Sequence, residues 1–159
     1  MKIKVIAVGR LKEKYWQEAV KEYSKRLSPF AGVEIQEVAE ERSSDNPGKA
    51  EIEKVKEKEG ERILKQIAPG SVVIPLAIAG QHFSSEGLAD YVEKLALEGK
   101  SNLTFIIGGS YGLSDAVLER GDLLLSFSSL TFPHQLMRVI LMEQLYRVFS
   151  IINGGKYHK

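Results

Sequence analysis

The chain has 159 residues, 22 Lys and Arg against 21 Asp and Glu, and no cysteine. That length suits one ordinary domain, 1–159, and the missing thiols exclude a disulfide framework, a thiolate metal site and a cysteine nucleophile. Near the start Lys4, Arg10 and Lys12 interrupt the few apolar residues, so neither a signal-peptide core nor a membrane span is legible, and a soluble cytoplasmic protein with no membrane partner is expected.

Residues 3–9, IKVIAVG, are β-branched and closed by Gly9, the pattern of a buried strand. Over 11–27, Trp16, Ala19, Val20, Tyr23 and Leu27 recur at intervals of three and four, which predicts an amphipathic helix stopped by Ser28-Pro29. Met1 to Arg26 carries eight bases against three acids, a surface suited to phosphates or simply to water. VEIQEVAE, 33–40, alternates with period two and predicts a second strand. The polar loop SSDNPG, 43–48, then leads to a charged helix over 49–67 with a thin apolar stripe. Here the balance reverses, with ten acids against five bases between Glu34 and Glu61.

SVVIPLAIAG, 71–80, reads as a third strand in which Pro75 implies a strand end or a bulge. A helix over 84–98, a fourth strand at 103–109, a short helix after Ser114-Asp115 and a fifth strand at 122–129 follow. From Pro133 to Ile152 the chain is apolar on nearly every face, including Leu136, Met137, Leu141, Met142, Leu145 and Val148. Such a helix is expected to be buried on two sides, by its own sheet and by a second copy of the chain, with Pro133 in its first turn. Strands separated by helices predict an α/β fold, a parallel sheet covered by helices.

Parallel sheets receive ligands beyond the carboxyl ends of their strands. Three exits are rich in small residues, glycine and serine among them, namely LAIAG at 76–80, IGGSYG at 107–112 and SFSSLTF at 126–132. Loops of this kind present backbone N–H and C=O groups closely and freely. Known nucleotide signatures are absent: there is no G-x-G-x-x-G and no P-loop, which argues against a dinucleotide oxidoreductase. No G-x-S-x-G elbow occurs, and His82, His134 and His158 lack H-E-x-x-H spacing, so neither a hydrolase triad nor a metal is expected. His134 reads as a residue of the last helix's first turn.

The segments KIKVIAVGRLKEKYW, FIIGGSYGLS, LSFSSLTFPHQLMRVILMEQLYR and the terminal YHK resemble the SPOUT-class ribosomal RNA large-subunit methyltransferase H family over the whole chain. The resemblance implies a C-terminal trefoil knot, a homodimer, S-adenosylmethionine as donor, and methylation of N3 of a pseudouridine in 23S rRNA, with the assembled ribosome as the expected form of the substrate, a form the resemblance does not itself require. It implies cofactor contacts at Leu76, Gly108, Phe127, Ser128, Ser129, Leu130, Thr131 and Phe132, largely through backbone groups. On this resemblance Tyr157 or His158 is expected to assist loss of the imide proton, Lys159 and Arg138 to hold phosphate or uracil oxygens, and the tail of one subunit to complete its partner's site, action within its own subunit being the alternative. Lys159 stands where some relatives carry Arg, which replaces a bidentate contact by a point charge. Tyr111 stands where others have acidic or amide groups, and is expected to stack on a base. A non-catalytic RNA-binding protein with the same dimer remains the alternative.

Overall fold

A computed structural model describes all residues, 1–159. β1 (Lys2–Val8), β2 (Gly32–Val38), β3 (Val72–His82), β4 (Asn102–Ile107) and β5 (Leu125–Ser126) form a five-stranded sheet in the order β2-β1-β4-β3-β5, with every pairing parallel. Parallel neighbours require crossovers. α1 (Lys14–Leu27), α2 (Lys49–Leu64), α3 (Ser85–Leu97) and α4 (Asp115–Arg120) supply them, and α5 (His134–Ile152) follows β5. The α/β architecture read from the alternation of elements is the one found.

The two-residue period of the strands sorts the core. Ile3, Val5 and Ala7 of β1 join Leu103, Phe105 and Ile107 of β4 under α1, α3 and α5, whereas Ile6, Val8 and Ile106 face α2 and α4. The first cluster holds 21 buried residues against 8 in the second, so α5 lies over the main core. Leu141, Met142, Leu145 and Val148 are each at most 1% exposed; burying a side chain of this size stabilises by roughly 1.5–3 kcal/mol. No residue of α5 is exposed, and α1 and α3 flank it. Its sheet side is thus covered within one chain, while twelve of its nineteen residues are only partly buried.

Element ends differ from the sequence reading for identifiable reasons. α1 starts at Lys14 rather than Leu11, because side chains hold the Leu11 backbone: Glu37 accepts its N–H at 3.1 Å and Gln17 donates to its carbonyl at 2.6 Å. α2 ends at Leu64, after which Gln66 and Ile67 make tighter three-residue bonds to Ile63 and Leu64. Pro133 is the N-cap of α5, with ψ 138°, and its carbonyl accepts from the Met137 N–H at 2.9 Å. β5 shrinks to two residues and β3 lengthens to His82.

Pro75 lies inside β3, not at its end. Val73, two residues earlier and therefore facing the same way, bonds on the β5 side, where Asp122 both donates its N–H to the Val73 carbonyl and accepts the Val73 N–H. The missing Pro75 N–H falls on that side and breaks no bond to β4. A Cβ on Gly121 would come within 2.8 Å of the Pro75 ring, so the chain passes here only because residue 121 has no side chain. The expected bulge exists, but beyond Pro75: Leu125 pairs with both Leu76 and Gln81, and β3 bows out between them.

Candidate functional site

The bow of β3, the turn after β4 and the loop after β5 enclose a cavity of about 840 Å³ at the carboxyl edge of the sheet. Small-molecule sites occupy this size range. The wall from β4 is a tight turn in which the Gly112 N–H donates to the Gly109 carbonyl at 3.1 Å, with Gly112 at φ 84°, a conformation that favours glycine. A Cβ on Gly108 would meet Gly112 backbone and Leu113 at 3.0 Å. Opposite, Ile78 and Leu130 line the cavity while 53% and 70% exposed, two large apolar groups left open to a ligand. Along 127–132 the Leu130 N–H donates to the Ser128 hydroxyl at 3.0 Å and the Ser128 carbonyl accepts from the Ser126 hydroxyl at 3.2 Å, while the other N–H groups there have no partner inside the chain. The loop therefore offers free backbone donors and acceptors beside apolar walls.

Of the eight expected cofactor residues, Leu76, Gly108, Phe127, Ser128, Leu130, Thr131 and Phe132 line this cavity, and Ser129 does not. Tyr111 lines it too, its hydroxyl 3.1 Å from that of Ser43 in the loop before α2. Ile78, His134 and Met137 were missed as site residues. The signal for the last two was available, since His134 and Met137 are three apart on one face of a helix that starts at the third exit. Tyr111 and His134 are the only titratable side chains in the lining, which carries no carboxylate, Lys or Arg. Burial, then the neighbouring Arg138 charge, pulls the His134 imidazole below its usual range.

Arg138, expected to hold phosphate or uracil oxygens, is only 2% exposed and faces the other way. Its guanidinium donates to Glu37 at 2.7 Å and to the carbonyls of Gly9 and Val8 at 2.7 and 3.3 Å. It ties α5 to the exits of β1 and β2 and has no face left for an incoming phosphate. Nearby, Glu59 on α2 is 4% exposed with Oε1 unpaired, while Oε2 accepts the Glu41 N–H at 3.0 Å. Burial pushes its carboxyl above the usual range. It sits directly behind the glycine turn: a Cβ on Gly109 would lie 3.1 Å from Oε1.

The YHK tail is brought together with α5 and α3, not with the cavity. Gly154, at φ 65°, turns the chain back. Tyr157 packs on Tyr146 with ring centroids 4.7 Å apart and donates to Glu143 at 2.9 Å. Burial and that bond push its phenol up to about 12, far from a base at neutral pH. His158 Nε2–H donates to Glu86 at 2.8 Å, and Nδ1 accepts from Arg147 at 3.3 Å, so both ring nitrogens are engaged. None of these partners lines the cavity. Glu143 is also six residues beyond Met137 on α5, about 9 Å along the axis and on a different face.

No group of three or more metal-capable side chains occurs, and no helix is long and apolar enough to cross a membrane. A cavity at three parallel strand exits, walled by glycine and apolar groups and rich in free backbone, fits a nucleoside-sized ligand held without charge. The chain belongs to the SPOUT methyltransferase family, whose model, described as "Predicted SPOUT methyltransferase", matches residues 1–158.

Proposed function

We propose that this methyltransferase uses S-adenosylmethionine to methylate N3 of a pseudouridine in 23S rRNA of the assembled ribosome. In this reading it acts as a homodimer with its C-terminal part knotted. One observation carries the proposal: a cavity of about 840 Å³ lies where the family resemblance implies the cofactor, with seven of the eight implied residues in its lining. The donor set suits the ligand. Ile78 and Leu130 would clasp the adenine faces, backbone groups of 127–132 its edge, and the absence of a Cβ at Gly108 would leave room beside the ribose.

Bound there, S-adenosylmethionine would supply a sulfonium methyl for in-line displacement by N3, leaving S-adenosylhomocysteine. The chain's share is mainly placement, and holding two reactants near contact distance lowers a barrier by about 7–11 kcal/mol. The imide proton still needs an acceptor. Beside the cavity, burial and the Arg138 charge disfavour the protonated form of His134. His158 would act after leaving Glu86 and Arg147, delivered with Tyr157 and Lys159 into the partner's site. Arg138 we assign to positioning α5 rather than to contact with RNA.

Mass mapping of large-subunit RNA from cells lacking the protein tests the reading. Loss of one methyl on a pseudouridine is expected, and an unchanged methylation map would contradict it.

A further inference from the structure

Beyond the cavity, the corner between β1 and α1 gathers Arg10, Lys12, Lys14 and Tyr15, all exposed, with Tyr15 62% exposed. Arg10 and Lys12 enter no ion pair, and Lys14 has only a loose one with Glu18 at 3.9 Å. Unpaired cations beside an exposed aromatic are the two ingredients of a surface for single-stranded nucleic acid, phosphate neutralisation and base stacking.

Two structural facts raise this above an ordinary solvated loop. First, the corner is rigid. Leu11 packs on the main core, and Glu37 and Gln17 fix its N–H and carbonyl, so the residues on either side, Arg10 and Lys12, are held outward. Glu37 does this while paired with the buried Arg138, which offsets its charge; the exposed Glu13, and Glu40 at 3.7 Å from a Cβ on Gly9, reduce the corner's positive charge but do not cancel it. Tyr15 is braced edge-on by Trp16, with centroids 4.9 Å apart. Second, the corner adjoins the cavity. It begins at Gly9, where a Cβ would lie 3.8 Å from His134 Nε2, and even fully extended the chain from Gly9 to Tyr15 spans only roughly 20 Å.

We infer that Arg10, Lys12, Lys14 and Tyr15 form the platform that grips the RNA strand flanking the target base, the cations on phosphates and Tyr15 on an unstacked base. This rests on the proposed RNA substrate and names the surface that recognises it. The cavity, lacking charged side chains, contributes little to phosphate affinity, so the corner carries much of its salt dependence.

The test uses the full chain and bacterial 70S ribosomes as probe, with S-adenosylmethionine affinity measured alongside. In the double variant Arg10→Gln/Lys12→Gln, KM for ribosomes should rise about tenfold. The slope of log KM against log salt should shrink by roughly 1.5, since each lost phosphate contact removes about 0.7–0.9. Tyr15→Ala should raise KM at least about fivefold with the salt slope intact. In both, kcat at saturation and cofactor affinity should hold. A wild-type protein that methylates ribosomes together with variants of unchanged KM and slope would overturn the platform alone. A wild-type protein inert toward ribosomes would remove the substrate reading and the platform with it. Variants whose only change is altered self-association at low salt would assign the corner to a second copy's acidic segment and overturn the inference.

Discussion

The carboxyl edge of the sheet has two halves of opposite character. At the exits of β3, β4 and β5 the surface is glycine, apolar side chain and free backbone, with Tyr111 and His134 as its only titratable groups. At the exits of β1 and β2 the same edge is dense with charge: Glu37 on Arg138, Glu41 on Arg62, and the buried Glu59. The first half is open; in the second these pairs close on one another, while the corner at 10–15 presents free charge. Recognition of a flat, weakly charged nucleoside needs contour and hydrogen bonds, whereas holding helices and loops behind that contour needs strong, specific pairs. The charged half is therefore the frame of the uncharged one, reaching it through His134 on α5 and Glu59 behind the glycine turn.

The division breaks most visibly if the cavity half performs the chemistry unaided. Deleting residues 157–159 should lower methyl transfer by about a hundredfold or more, the usual share of acid–base assistance, while S-adenosylmethionine still binds. Full activity in the truncated chain would place the whole reaction in the cavity and remove the tail's role.

The charged half predicts an order of damage. Removing Glu37 strands a guanidinium that is 2% exposed, whereas removing Arg138 leaves a carboxylate that is 40% exposed and open to water. Glu37→Ala should cost about 3 kcal/mol in denaturant unfolding, and Arg138→Met less. The reverse order would mean that the carbonyls of Val8 and Gly9, not the ion pair, hold α5 in place.

Glu59 sharpens the contrast at smaller scale. Its carboxyl is raised by burial, so the folded chain keeps the proton to higher pH than the unfolded one, and stability falls as pH rises from the ordinary carboxylate range through the raised value. Glu59→Gln should remove that slope and stabilise by about 1 kcal/mol near neutral pH, with chemical denaturation across pH as the measure. An unchanged pH profile would show that Oε1 is well solvated.

The fold was legible wherever local pattern and burial agree. The apolar runs at 3–9 and 103–109 and the spacing of Trp16, Val20, Tyr23 and Leu27 mark elements that exist. The exits at 76–80, 107–112 and 126–132, rich in small residues, do meet in one cavity. What was not legible depended on partners distant in sequence. Arg138 looks like a functional cation on an apolar helix until Glu37, 101 residues away, is seen against it. The run 122–129 looks like one strand, yet β3 pairs Leu125 twice and bows away, so that only 125–126 pair and 127–129 become a loop. Glu59 is one acid among ten in its stretch, and only the fold buries it.

The most direct test of the account is a calorimetric titration of the protein with S-adenosylmethionine, beside the Gly108→Val variant. Saturable binding of one molecule per chain, lost when a side chain is forced against Gly112 and Leu113, is the predicted result. No binding to the wild-type protein, or equal binding to both, would contradict the claim that the three strand exits hold the methyl donor.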